Sequence, residues 1–264
     1  MTDLRLNLTE QILSWGEGNK IRLSSWGKMY QLNKPIDDEQ ITFLENNDLH
    51  TLKNFAALCH ERVQDRDASF TLRKRIELYS KWLSTNQPCL MAITSGKHRL
   101  INASIVLPLT AAAYEMFCSK GLDALDIQSQ HFLQFDSKEP FRYLLVDMLT
   151  TNSNLLKNLP KDEQKRLKGI GFRAVLYHLS KFINMNHQLP VILCSTANRP
   201  LARLLSILNF DKLCKQVEKN SIYEVDLSRL DSYPSDVRMA LTFIIVLARF
   251  YKKVANINPD KVPS

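Results

Sequence analysis

Arg166, Gly169 and Gly171, in the run Arg166-Leu167-Lys168-Gly169-Ile170-Gly171, stand directly before an apolar stretch of helical spacing, 172–183. A glycine turn that feeds a helix N-terminus brings several backbone N–H groups to one point, where the helix dipole also favours negative charge. The chemistry of such a corner is phosphate binding. Gly169 and Gly171 permit close backbone approach, and Arg166 and Lys168 add positive charge at its mouth. The chain holds only seven glycines in 264 residues, so two of them one residue apart at a helix start are not a product of composition. The run is not the Gly-x-x-x-x-Gly-Lys-Ser/Thr loop of nucleotide binding, and it lacks the third glycine of a dinucleotide fingerprint.

The elements that must position this corner follow from the period of the apolar residues. Residues 41–44 read as a short strand, and a helix entered at Asn47-Asp48 runs through Leu49, Leu52, Phe55, Leu58 and Val63. A second helix buries Phe70, Leu72, Ile76, Tyr79 and Leu83, with Arg73-Lys74-Arg75 expected outward as a solvated face. Pro88 opens a hairpin of strands 89–94 and 100–109 about Ser95-Gly96-Lys97. A short helix or loop with Tyr114 and Phe117 follows, then an acidic-apolar segment, 121–135. Residues 141–151 have high β-propensity and carry Asp147 near the middle. The stretch 152–165 is expected to form its own short helix before the glycine corner. Beyond it come a near-continuous apolar strand, 189–195, suited to burial on both faces, an amphipathic helix, 201–208, and a last strand, 221–227. A helix from Pro234 to Lys253 is apolar on more than one face and belongs in a core or in a homodimer interface. Residues 1–36, where Ser14-Trp15-Gly16 is echoed by Ser25-Trp26-Gly27, read as an appendage to a main domain, 37–230, with 231–264 a C-terminal helix and tail.

With 45% apolar and 23% charged residues, the chain is long enough to fill a core. Cys59, Cys89, Cys118, Cys194 and Cys214 are scattered without a C-x-x-C pair, which indicates neither a disulfide framework nor a zinc site and suits a reducing cytoplasm. Cys194 has no visible His-Asp partner and reads as a small hydrophobe. His60, His98, His131, His178 and His187 show no ligand spacing, so no metal is expected. No signal-peptide pattern opens the chain, and the longest apolar stretch, 239–248, falls short of the ~20 residues a membrane span needs. A formal charge of +8 favours anionic ligands. Without an Arg/Lys-studded helix, an aromatic-basic signature or zinc-finger spacing, nucleic acid is not expected.

The order strand, helix, helix, hairpin, strand, glycine corner, helix, strand, helix, strand resembles the Gcn5-related N-acetyltransferase superfamily over residues 38–230. That family's pyrophosphate loop, Gln/Arg-x-x-Gly-x-Gly/Ala, is matched by Arg166, Gly169 and Gly171. The run from Asn198-Arg199-Pro200 to Asn209-Phe210 is similar to the family's Asn-led helix ending in Gly-Phe. The resemblance implies a mixed α/β (α+β) fold with a mostly antiparallel central sheet, a splayed strand pair and flanking helices. It implies acetyl-CoA as co-substrate, its pantetheine arm lying between the strand that ends at Thr151 and the strand 189–195, on backbone groups of Met148, Leu149 and Thr150. The pyrophosphate is then expected on N–H groups of 167–172, which include Gly169, Ile170, Gly171 and Phe172. Arg166, Lys168 and Arg173 would assist, and Asn198 would fix the arm from the other side. The implied reaction is direct transfer of an acetyl group to a primary amine in a ternary complex, with Asp147 the candidate general base. The chain departs from the family where Leu205 replaces the usual tyrosine that protonates the thiolate, leaving that role to Tyr177, Tyr223 or water, and where Asn209 replaces glycine.

The acceptor implied is a small-molecule or protein amine. It would meet residues 70–85, the hairpin and the segment 111–135, where Tyr114, Glu115, Asp123, Asp126 and His131 can hold a cation. Two other functions fit the same residues. One is a degenerate fold that binds CoA or a protein partner without transfer. The other is an acyltransferase that draws on an acyl-carrier protein, whose acidic surface suits a basic chain.

Overall fold

The computed structural model describes residues 41–45, 48–63, 70–85, 88–95, 99–120, 126–133, 140–167, 169–185, 189–196, 211–217, 220–233, 235, 238, 241–242 and 245. The appendage 1–36, the helix 201–208, Lys168, Asn198 and most of the C-terminal helix lie outside these residues.

Strand β1 (Ile41–Phe43) leads into helix α1 (Leu49–Val63), entered where the Asp48 carboxylate accepts from the Thr51 N–H at 2.9 Å. Helix α2 (Leu72–Leu83) is capped by the Thr71 hydroxyl, which accepts from the Lys74 N–H at 3.3 Å. Strands β2 (Leu90–Ser95) and β3 (Arg99–Leu109) form the expected hairpin, and helix α3 (Ala111–Lys120) follows. Strand β4 (Tyr143–Thr151) is succeeded by two short helices, α4 (Ser153–Lys157) and α5 (Lys161–Arg166), in the stretch expected to hold one. Helix α6 (Ile170–Met185) then crosses to β5 (Val191–Thr196), and β6 (Asp211–Val217) and β7 (Asn220–Asp226) complete the chain of strands.

The seven strands make one sheet in the order β1-β2-β3-β4-β5-β7-β6. Every neighbouring pair is antiparallel except β4 and β5. A parallel pair needs a long crossover, and the segment carrying α4, α5 and α6 supplies it. The fold is thus mixed and mostly antiparallel, with helices on both faces.

Pleat alternation divides β3 between two cores. Ala103, Ile105 and Leu107 pack under α1 and α2 with Leu52, Phe55, Tyr79 and Trp82. Asn102, Ser104 and Val106 turn to the α6 face, where Val106 joins Leu179, Phe182, Ile192 and Val225. Leu241 and Ile245 are buried in that second core, so the described part of the C-terminal helix packs on this chain's own sheet. Trp82 is fixed by its indole N–H, which donates to the Ile127 carbonyl at 2.8 Å.

Arg75 corrects the reading of a wholly solvated basic run. Arg73 faces water, but Arg75 is 3% exposed. Helical geometry explains this, because residue 75 shares a face with Leu78, Tyr79 and Trp82 at spacings of three, four and seven.

Candidate active site

Strand β4 changes character at Asp147. Residues 143–146 pair with β3 on one side and, from Tyr143 with Val191 to Val146 with Cys194, with β5 on the other. Opposite β3 the register then slips: Ile105 faces Met148 while Val106 faces Val146, so Asp147 is an extra residue, a β-bulge. Beyond it β4 keeps its ladder with β3, but among the described residues no strand pairs with 147–151 on the β5 side. This is the splay that the resemblance implied.

Alternation fixes which backbone groups face the opening. The Asn152 N–H donates to the Ile101 carbonyl at 2.8 Å, and the Val106 N–H turns to Cys89 at 3.0 Å. Met148 and Thr150 therefore direct their peptide groups at β3, and Leu149 and Thr151 direct theirs into the gap. This revises the expected set of Met148, Leu149 and Thr150. Leu149 is also 37% exposed, an uncommon state here for a large apolar side chain in a strand.

Helix α6 begins beside that open edge. It starts at Ile170, two residues earlier than the apolar period suggests, so the glycine corner is a tight turn between α5 and α6 with Gly169 at φ 72°. Only glycine takes that conformation readily. The second glycine has another cause. A Cβ at Gly171 would stand 2.9 Å from Thr151 Oγ1 and 3.6 Å from Asn102 Nδ2, so this residue lets the first turn of α6 seat against the end of β4. Asn102 Nδ2 donates to the Thr150 carbonyl at 2.8 Å and the Thr151 hydroxyl at 3.0 Å, tying β3 to the end of β4 beneath that turn.

Two of the expected phosphate donors are engaged elsewhere. The Ile170 N–H donates to Leu167 at 3.0 Å, and its side chain is buried. Arg173 is 2% exposed and its Nη2 donates to the Arg166 carbonyl at 2.8 Å, so it closes the turn from within. The Arg173 N–H joins the helix ladder, donating to the Gly169 carbonyl at 3.1 Å. The amide of Gly171 precedes that bond and points out of the helix end. The Arg166 side chain is exposed at the mouth, 4.0 Å from Glu163.

Asp147 belongs to the α1/α2 face: its charge acts on the Cys59 thiol and the Tyr79 phenol, both wholly buried. Desolvation pushes Cys59 up to about 12, and it raises Tyr79 further above its ordinary value. Both stay protonated at neutral pH. On the same face, Tyr114 stacks on Tyr143 with centroids 4.1 Å apart, and its hydroxyl donates to Glu224 Oε2 at 2.7 Å. Burial and then Glu224 hold the Tyr114 phenol protonated and push the neighbouring Cys118 thiol up to about 11. Glu224 and Arg75 are the functional candidates that sequence reading overlooked. For Arg75 the helical period was a sufficient signal, whereas nothing local announces a contact spanning residues 114 and 224.

The remaining expectations resolve by position. Tyr177 packs on Phe43 of β1, with centroids 6.4 Å apart, at the far edge of the sheet from the opening. Tyr223 is opposite Cys194, next to the last β4–β5 pair, and is the better placed of the two. Burial pushes the Cys194 thiol up to about 12, which suits a packed hydrophobe. His178 is a core residue, with Nδ1 3.0 Å from the Ser104 hydroxyl and Nε2 on the Pro88 carbonyl, and burial pulls it down to about 4. Among the described residues no group of His, Cys, Asp or Glu has metal-binding geometry, and no helix is long and apolar enough to cross a membrane.

No family model and no curated protein matches the chain. Among solved structures, a GNAT-family acetyltransferase from Listeria monocytogenes 4b F2365 is 10% identical, with 71% of this chain and 94% of that chain covered and a TM-score of 0.39. The C-terminal condensation domain of Ebony, in complex with beta-alanyl-dopamine, is 10% identical over 71% of this chain and 98% of its own, with a TM-score of 0.43. Naa20 of Chaetomium thermophilum, in complex with a bisubstrate analogue, is 9% identical over 70% and 83%, with a TM-score of 0.33. These likenesses are distant ones.

Proposed function

We propose that the protein is an acyl-CoA-dependent N-acyltransferase that moves an acetyl group from acetyl-CoA to a primary amine by direct attack in a ternary complex. The observation that carries this reading is the open edge of β4 at 147–151 beside the start of α6. Leu149 and Thr151 would hold the amides of the pantetheine arm, as a missing strand would. The amide of Gly171, with Arg166, Lys168 and the helix dipole, would hold the pyrophosphate. Asn198 would approach the arm from the β5 side.

The thioester supplies the acyl group: a C–N bond forms, the C–S bond breaks, and the sulfur leaves as a thiolate that takes up a proton. Asp147, at the bulge on the α1/α2 face, would take the proton of the attacking amine. Tyr223 or water would return one to the sulfur. Glu224, backed by the Tyr114–Tyr143 stack, offers the amine a negative charge and two aromatic faces on the acceptor side.

The test is calorimetry with acetyl-CoA and with acetyl-pantetheine, which lacks the diphosphate, followed by a transfer assay on a broad amine panel. Acetyl-CoA should bind at least about a hundredfold more tightly, as two charge-assisted contacts require. Equal binding of the two, or no binding, ends the reading. Tight binding with no transfer to any amine would instead identify a CoA-binding module.

A further inference from the structure

We infer that Arg75 receives a carboxylate carried by one of the two reactants; this rests on the transferase reading and adds a substrate class to it. Arg75 and Arg73 are two residues apart on α2 and are treated oppositely. Arg73 is exposed and paired with Glu77 at 2.9 Å. Arg75 is 3% exposed, and among the described residues no carboxylate stands at ion-pair distance from it. Its Nη1 donates to the Tyr79 hydroxyl at 3.0 Å, its guanidinium carbon lies 5.1 Å from the Phe70 ring centre and 5.8 Å from that of Tyr79, and among the described residues its buried Nε has no hydrogen-bond partner.

A guanidinium carries five N–H donors in a planar fork matched to a carboxylate. One neutral hydroxyl and two ring faces replace little of the hydration lost on burial, and a buried charge left without an anion is strongly disfavoured. Such a residue makes sense if the anion arrives with a ligand. The location agrees, because the charges of Arg75 and Asp147 both act on Cys59 and Tyr79, which places the cation at the bulge end of β4. Asp147 and Arg75 together present one negative and one positive charge to the same region. A reactant with an amine near the first and a single carboxylate near the second is complementary to both, whereas a phosphate dianion would meet repulsion from Asp147. The carboxylate can belong to the amine, as in an amino acid, or to the acyl chain, as in a dicarboxylic monoacyl thioester.

The experiment compares ligands that differ only in the carboxylate, using calorimetry on the intact protein: lysine against cadaverine, tyrosine against tyramine, β-alanine against ethylamine, and succinyl-CoA against butyryl-CoA. In at least one pair the acid should bind about tenfold or more tightly, the size of a charge-assisted hydrogen bond, and R75Q should erase the difference. A preference among the amines assigns the carboxylate to the acceptor, and one among the thioesters assigns it to the acyl chain. Equal binding within every pair overturns the inference, as does a preference that survives in folded R75Q. If R75Q does not fold, R75K decides: it keeps the charge but loses the fork, and the preference must fall at least about threefold. The amine pairs contain no CoA, so a failure of donor binding is read separately from a failure at Arg75.

Discussion

The two halves of β4 are continuous in sequence and opposite in circumstance. Before Asp147 the strand is paired on both edges, and Leu144 and Leu145 are wholly buried. After it, among the described residues, one edge has no partner strand, Leu149 is exposed, and the Thr150 hydroxyl is buried without a hydrogen-bond partner. A closed half satisfies its own backbone groups and contributes stability. An open half lacks a neighbouring strand on one side and is suited to a ligand that takes that strand's place. One inserted residue separates the two conditions.

The comparison can be broken most forcefully at the junction. Asp147→Asn should lower turnover about 10²- to 10⁴-fold at neutral pH, the usual worth of a general base, with donor affinity within about twofold by calorimetry. An unchanged rate would remove Asp147 from the chemistry. In the closed half, Leu145→Ala should cost about 2–5 kcal/mol in urea denaturation and leave donor affinity per folded molecule unaltered.

His178, satisfied and uncharged in the core beneath the sheet, sharpens the contrast through pH. Its folded value of about 4 lies below the ordinary value of 6.5, so between the two the unfolded chain binds the proton more readily. The stability linked to it is fully present above pH 6.5 and is eroded as pH falls toward 4, where the core histidine itself protonates. Urea midpoints measured across that window should decline, and His178→Gln should flatten the decline. In the open half, Leu149→Ala should shift stability by less than about 0.5 kcal/mol yet weaken donor binding several-fold. If it weakened neither, the exposed edge would not be where the arm lies.

Much of this was legible because local signals are strong where structure is regular. The apolar runs of β4 and β5, the hairpin strands, the period of α1 and α2 and the glycine corner all announce themselves by spacing. The bulge does not, since the run from Tyr143 to Thr151 reads equally well with or without a slipped register, and only the partner strand reveals the extra residue. The glycine pair misled in part for a related reason. Gly169 is demanded by backbone conformation, but Gly171 is demanded by Thr151, twenty residues earlier, a contact that exists only once α6 has folded back. The stretch of basic residues on α2 was read by its charge when its period already placed Arg75 inside.

The bulge also lets its strand carry one more side chain than the partner strand has opposite it. Deleting Asp147 would restore an uninterrupted pleat without turning the segment 148–151 over, because Val146 already joins the α6 core and Met148 the α1/α2 core. Met148 and Thr150 would stay on the side of α1 and α2, Leu149 and Thr151 on the side of α6, and the seat that Gly171 makes for Thr151 would keep its occupant. A shortened chain of this kind could still build its sheet, but it would lose the one carboxylate that β4 sets beside Met148. A single codon therefore adds a charge to one face of this protein while leaving the order of its strands alone.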